Sequence, residues 1–303
     1  MLTDEVYDFL VVGHLAIDEV YIGNRVRIGI GGSSYYCGFN LSLLGWRVCV
    51  ISKIGFDFNP YLSRVKNLDL SLVKISSKPT TRYRIVYNSK YDRSLKLISK
   101  CENISVFDIP SELKVRAIHI CPIANEVDID AIYKLKELNG VLSIDVQGLL
   151  RSFRIDGEVY LRKPRNILNV VRDIDILKAD QLEIKAILNS LKDIYKLFDV
   201  GVKIVIVTKG SRGVTVYTPK QTINIPAPKL YRVKDPTGAG DVFMAGFLNG
   251  YLNGIGIYES ALYGIASALS IIKKFRNRFI KLNEVNKLFN MLRKRQFGYC
   301  NIV

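Results

Sequence analysis

Asp235-Pro236-Thr237-Gly238-Ala239-Gly240-Asp241 sets two carboxylates around a turn with almost no side chains, and the apolar run Val242-Phe243-Met244-Ala245-Gly246-Phe247-Leu248 follows directly. Asp-Pro opens a turn, Pro and Thr suit the start of a helix, and the run has the composition of a buried helix. The loop therefore ends at a helix N-terminus. There the leading N–H groups and the helix dipole face outward, and nothing on Gly238, Ala239 or Gly240 blocks an anion. Such a seat suits phosphate. Asp241, just inside it, is held ionised by the same field and is able to take the proton of an alcohol. The chemistry is phosphoryl transfer, with amides stabilising charge on the moving group while a carboxylate orients and deprotonates the acceptor hydroxyl. A plain turn ahead of a capped core helix is the alternative, and the paired carboxylates argue against it.

Such a loop needs a rigid sheet behind it. Apolar runs at 9–13, 48–51, 117–121, 141–145, 174–178 and 203–208 read as buried strands, with helical patterns at 129–138 and 182–191. This alternation marks a parallel sheet covered by helices on both faces, with ligands at the carboxyl ends of the strands. Asp18, Pro122, Asp145, Asp180, Thr208 and the 235–241 loop fall at those ends. Amphipathic hairpins near 21–30 and 81–99, the second turning at 89–92, need another sheet to cover them, and a third pairs 213–217 with 222–225. Gly31-Gly32 leads into a helical stretch at 37–44 closed by Gly45, and Ser34 stands where a dinucleotide fingerprint would need its third glycine. The phosphate loop of nucleoside triphosphatases and the His-Arg-Asp loop of protein kinases are both missing.

The 303 residues are 49% hydrophobic and 24% charged, which suits a folded chain with a large core. A net charge of +16, from 44 Lys+Arg against 28 Asp+Glu, would serve nucleic acid, an anionic surface or a funnel for anionic substrates. Its densest runs, at 273–278 and 293–295, lie near the ends of apolar segments, where cations suit helix C-termini. A solvated face that attracts nucleotide phosphates covers this without any specific nucleic acid. Cys37, Cys49, Cys101, Cys121 and Cys300 are scattered and odd in number, and read as core residues of a reducing compartment. Two histidines, His14 and His119, argue against zinc. Acids near the N-terminus, where an export signal is basic, and the lack of a membrane-length apolar run point to a cytoplasmic protein.

Position by position, the 235–241 loop resembles the second signature of the ribokinase-like (PfkB) carbohydrate kinases, and the resemblance covers nearly the whole chain. Gly31-Gly32 with Leu44-Gly45 resembles the first signature, Gly55-Phe56-Asp57 a further Gly-x-Asp turn, and Asp180-Gln181-Leu182-Glu183 the Asn-x-x-Glu segment, with Asp180 in place of Asn. Thr208-Lys209-Gly210-Ser211-Arg212-Gly213 resembles the turn that lines the nucleotide. The resemblance implies a single domain over 1–303: a three-layer α/β/α, doubly wound, mostly parallel sheet with a small β-sheet lid from about 19–30 and 80–100.

It further implies an ATP-dependent kinase with an alcohol acceptor, Asp241 as general base and Gly238-Ala239-Gly240 as anion hole. ATP would lie along Asp180 to Glu183, Thr208, Gly210, Gly213, Asp235 and Thr237; Asp180 and Glu183 would hold Mg²⁺ through water. Asp235 and Thr237 would also help hold a monovalent cation, as in some relatives. Asp18 would hold substrate hydroxyls, the alternative being a solvated or capping acid, and Gly31 and Gly32 would let substrate lie against the backbone. Tyr36 stands where the family commonly has Asn, which speaks against plain ribokinase activity; Asn40, one turn on, either compensates or is an ordinary helix position. Arg82, Arg84, Arg93 and Lys96 either reach substrate from the lid or are solvated, and Lys209 and Arg212 stand in the same position towards phosphate.

Thr80-Thr81, the run from Arg93 to Ile104, Asp108-Ile109-Pro110 and Ile144-Asp145-Val146-Gln147-Gly148-Leu149-Leu150-Arg151 resemble the inositol kinases of this family. A cyclitol or sugar is expected, myo-inositol first. Asp145, Gln147 and Arg151 would then frame the substrate mouth, or else cap a strand end. Nucleoside kinase, kinases of ribose, fructose or 2-keto-3-deoxygluconate, a nucleotide-binding regulator without catalysis and a nucleic-acid binder are the rivals. Lid edges often pair in the family, so a homodimer is expected.

Overall fold

The computed structural model describes residues 6–88, 92–229, 233–275 and 279–297. The expected turn residues 89–91, the basic residues 276–278, the side chain of Arg295 and Cys300 lie outside that set. The chain opens with β1 (Val6–Val12), β2 (Ala16–Ile22), β3 (Arg25–Gly31), α1 (Ser33–Leu43), β4 (Val48–Gly55), β5 (Val73–Ser76), β6 (Arg82–Tyr87) and β7 (Arg93–Ser99). Then come β8 (Lys114–Ile120), α2 (Ile129–Lys136), β9 (Val141–Asp145), α3 (Gln147–Leu150), β10 (Arg151–Phe153), β11 (Val159–Leu161), α4 (Ile167–Val170), β12 (Ile176–Asp180) and α5 (Gln181–Leu188). The chain continues through α6 (Tyr195–Asp199), β13 (Ile204–Thr208), β14 (Val214–Tyr217), β15 (Thr222–Ile225), α7 (Ala239–Leu252), α8 (Ile257–Ile272) and α9 (Leu282–Phe297).

Nine strands form the central sheet in the order β15-β14-β13-β12-β9-β8-β1-β4-β5. It is parallel from β13 to β5, while the β14–β15 hairpin joins antiparallel at one edge. Strands buried on both faces read as unbroken apolar runs, and β1 divides its side chains by the two-residue period of a strand. Phe9 and Val11 pack with α7 residues such as Phe247, and Leu10 and Val12 pack with Ala131, Leu135 and Ile184 on the opposite face. The two cores are the two helical layers on either side of the sheet. In α7 Val242 to Gly250 are all buried, because the helix is wedged between the sheet, α1 and α8. Gly246 and Gly264 bring α7 and α8 close: a Cβ on Gly264 would lie 2.7 Å from the carbonyl oxygen of Phe243.

β3, β2, β6 and β7 make the lid, a separate four-stranded sheet in that order. Each hairpin is antiparallel, and β2 pairs with β6 in parallel. Val20, Ile22, Tyr83, Ile85 and Tyr87 point inward and pack with Ile123 and Ala124. The first excursion begins earlier than expected. Asp18 belongs to lid strand β2, opposite Gly29 and Tyr83, rather than to a loop after β1, because the chain needs only Gly13 to Leu15 to turn from core into lid. Helix α1 likewise starts at Ser33 rather than at 37, since Gly32 with φ +91° breaks the strand just ahead of it. Cys37, Cys49, Cys101 and Cys121 are buried and unbonded to one another. Among the described residues no helix is long and apolar enough to cross a membrane.

Candidate active site

The 235–241 loop turns into α7 through Gly238, which sits in the left-handed region at φ +72°. Its first helical amide pairs locally, Ala239 N donating to Pro236 O at 3.1 Å, and Val242 N donates to Gly238 O at 2.9 Å. Gly240 and Asp241 thus present the leading amides of the helix, ahead of its first full-turn bond. Below them lies a residue that the sequence pattern missed. Lys178 of β12 places its Nζ 2.6 Å from Asp145 Oδ2, both side chains buried, and a Cβ on Gly240 would come 3.3 Å from that nitrogen. Burial pushes the Asp241 carboxyl up, and Lys178 is the chief opposing charge, with Ser33 hydrogen-bonding to it. Lys178 therefore offsets part of what burial does to the Asp241 carboxyl, which binds a proton more tightly than a solvated carboxylate does.

A cavity of about 50 Å³ opens over Asp241. Asp18, Gly32, Ser33, Tyr36, Ile123, Gln147, Arg151, Thr237 and Gly238 line it. Tyr83, Ile85, Arg93 and Leu95 close it from the inner face of the lid. Burial pushes the Asp18 carboxyl up to about 6, against the opposing charge of Arg27 and with Asp241 and Asp235 adding to the rise. Gly31 does not line the cavity. A Cβ there would collide with the Asp18 carboxylate, so this glycine makes room for that side chain.

Asn40 also lies outside the cavity. Its Nδ2 donates to Tyr36 O at 2.7 Å and its Oδ1 accepts from Ile280 N at 3.0 Å, so the ordinary helix position is the one found. Asp145 sits beneath the mouth, its Oδ1 accepting from Gln147 N at 3.0 Å and its Oδ2 held by Lys178. Arg82 and Arg84 pair with Glu19, and Lys96 with Asp156, on the lid's outer side; of the four lid cations considered, Arg93 alone lines the cavity.

At the neighbouring strand end Asp180 and Glu183 form a reciprocal cap on α5. Asp180 Oδ1 accepts from Leu182 N and Glu183 N at 2.7 and 2.8 Å, and Glu183 Oε2 accepts from Asp180 N at 2.6 Å. Burial pushes the Glu183 carboxyl up to about 7, with Lys178 opposing. Asp180, at this half-exposed strand end, thus spends one carboxylate oxygen on the helix cap. Thr208 pairs with Asp180 across β12 and β13. In the following turn Gly210 and Gly213 have φ +58° and +94°, and Arg212 is bound to Gln181.

Arg27 is the second residue that the pattern missed. From lid strand β3 its Nε and Nη2 donate to Asp235 Oδ2 at 3.2 and 3.1 Å, and Nη2 reaches Tyr36 OH at 3.4 Å. Asp235 Oδ1 accepts from Thr237 N at 2.9 Å, and the Thr237 hydroxyl lies 3.1 Å from Tyr87 OH. The loop is therefore tied to the lid at two points. At Asp235, where a monovalent cation was expected, a guanidinium holds one carboxylate oxygen.

Residues 7–279 match the pfkB family of carbohydrate kinases. The chain is similar to the cytidine kinase of Thermococcus kodakarensis, 27% identical over 279 residues that cover 88% of this chain and 97% of that one. It is also similar to the inositol 3-kinase of Arabidopsis thaliana, 26% identical over 303 residues, covering 97% and 81%. In fold it resembles a pyrophosphate-dependent kinase of the ribokinase family solved with a pyrophosphate analog and myo-inositol, with TM-score 0.76 at 22% identity over 92% of this chain and 99% of the other. Fold and relatives agree on a phosphotransferase with a hydroxyl acceptor. The chain belongs to the PfkB family of carbohydrate kinases, and the solved structures it resembles in fold include ribokinase-type proteins complexed with ATP or with ATP and Mg²⁺.

Proposed function

We propose that this kinase transfers the γ-phosphoryl of ATP to a hydroxyl of a cyclitol or sugar, with myo-inositol the first acceptor to try. The observation that carries the reading is one small cavity holding Asp18, Gln147 and Arg151 on its walls and Asp241 on its floor. Carboxylates and an amide at close quarters suit a compact ring that presents hydroxyls all round. A nucleoside is the second reading, favoured by the apolar lid wall of Tyr83, Ile85 and Leu95 and by similarity to a cytidine kinase.

Asp18 accepts hydrogen bonds from acceptor hydroxyls and turns one towards Asp241. Asp241 takes that hydroxyl's proton as it attacks, the amides at the start of α7 receive charge on the transferring group, and Lys178 adds positive potential from below. Asp180 and Glu183 would hold Mg²⁺ through water, which neutralises phosphate charge when bound. The turn from Thr208 to Gly213 flanks the nucleotide. The lid's apolar inner face excludes water that would compete as acceptor. We also assign the whole chain to one domain in the cytoplasm, as its buried unbonded cysteines suit. Val26, Ile28, Val86 and Ile98, exposed on the outer side of the lid, support a homodimer through it, which light scattering tests.

The deciding experiment is ADP release with ATP and Mg²⁺ against myo-inositol, ribose, fructose, 2-keto-3-deoxygluconate, adenosine and cytidine, each compared with Asp241→Asn. One strong cyclitol or sugar acceptor, lost in the variant, is expected. A strong response to cytidine or adenosine alone would replace the acceptor class; ATP binding with no acceptor would favour a regulator, and salt-sensitive RNA binding without turnover a nucleic-acid protein.

A further inference from the structure

We propose that the guanidinium of Arg27 is a built-in cation for the anion loop, so that turnover needs no added monovalent cation. This rests on reading the start of α7 as the phosphate seat. Asp235 is fully buried, three residues before the left-handed Gly238. Its two oxygens join the loop to the lid: Oδ1 accepts from the amide of Thr237, and Oδ2 takes two bonds from the Arg27 fork.

A buried carboxylate needs a compensating charge, and a bare alkali ion would need several oxygen ligands around it. Here the carboxylate faces an arginine whose side chain is 14% exposed, and the Thr237 hydroxyl already meets Tyr87. Guanidinium suits such a place, because it stays protonated, is weakly hydrated and reaches one carboxylate through two nitrogens. A second cation at this carboxylate would sit against the first, and like charges in a poorly solvated site repel strongly. Arg27 also contacts Tyr36, whose ring packs on Gly238: a Cβ there would lie 2.5 Å from the ring. The fixed charge, the phenol and the glycine hinge thus form one stack leading from lid strand β3 to the phosphate seat. Arg27 acts as a positioning residue, because it shapes the loop through Asp235 and touches no reacting atom. Its charge arrives with the lid, so the loop is fully braced only when β3 is in place.

The test compares potassium, sodium and choline chlorides at equal ionic strength, reading both turnover and melting temperature of the wild type, Arg27→Ala and Arg27→Lys. The wild type should change by less than about threefold in turnover, with an unmoved melting temperature, when choline replaces potassium. Arg27→Ala should lose about tenfold or more in kcat and regain part of it with potassium or low guanidinium chloride, the same ions raising its melting temperature. If Arg27→Ala does not fold, Arg27→Lys carries the test: it keeps charge without the fork and should lose turnover that guanidinium does not restore. A wild type stimulated by about threefold or more by potassium, or an Arg27→Ala enzyme of normal turnover, overturns the proposal. If no acceptor turns over at all, the melting temperatures still decide: potassium and guanidinium stabilising Arg27→Ala but not the wild type would keep the Arg27 assignment while the kinase reading fell.

Discussion

Lys178 and Asp145 form an ion pair at 2.6 Å inside the core, directly under the amides that begin α7. Removing one partner of such a pair leaves a bare charge out of water, which costs about 3–5 kcal/mol, whereas removing both together costs far less. Lys178→Met should lower the urea-unfolding free energy by about that amount, and Lys178→Met with Asp145→Asn should restore most of it. A single variant of wild-type stability would show that the pair carries no such weight.

Asp241→Asn keeps the shape of the cavity floor but removes the carboxylate proposed as proton acceptor. Turnover should fall by a factor of about 10² to 10⁴, with nucleotide affinity nearly unchanged in a calorimetric titration. Near-normal turnover would assign the base elsewhere.

Asp18 places a functional need against stability. Its carboxyl, pushed up to about 6 by burial with Arg27 opposing, compares with a value of 3.8 in the absence of the fold. The folded state therefore binds the proton more tightly than the unfolded chain does. The stabilisation this gives is complete below the lower value and is lost as pH rises from about 4 to about 6. Asp18→Asn, neutral at every pH, should be more stable than the wild type at pH near 7.5 by up to about 3 kcal/mol, and the advantage should vanish below pH near 4. Its KM for the acceptor should rise. An advantage of equal size at both pH values would contradict the assignment.

Gly238 is pressed between a left-handed backbone and the Tyr36 ring. Gly238→Ala should cost at least about 2 kcal/mol of thermal stability, part of it backbone strain and part of it the collision. Adding Tyr36→Ala should remove the collision but not the strain, so the two losses should not add. Strict additivity would mean that the ring had room to move.

The parallel sheet, the two lid hairpins and the loop into α7 were legible because each is a local matter of period and turn chemistry. Side-chain roles were read less fully where partners lie far apart in the chain. Arg27 meets Asp235 across 208 positions, and nothing near Arg27 marks it as different from its exposed neighbours Arg25 and Val26. Lys178 was passed over as the last residue of an apolar run, although a lysine buried inside Ile176–Asp180 must find a carboxylate. The need for glycine at 31 was hidden for the same kind of reason, as it comes from the bulk of Asp18 on the neighbouring strand. Asp18 itself lies within a strand because three residues suffice for the turn, a length that periodicity does not resolve.

The parallel pairing of β2 with β6 also fixes an order of assembly. Ile17 pairs with Arg82 and Ile22 with Tyr87, yet the chain between the two strands makes α1, β4 and β5, which belong to the large sheet and its helical layer. The lid halves cannot zip together until that intervening segment has docked, because only then are their ends brought side by side. Pulsed hydrogen exchange during refolding should therefore find the central sheet protected before the cover. In the native state the cover is correspondingly the unit that opens at lowest cost, with the core beneath it still intact.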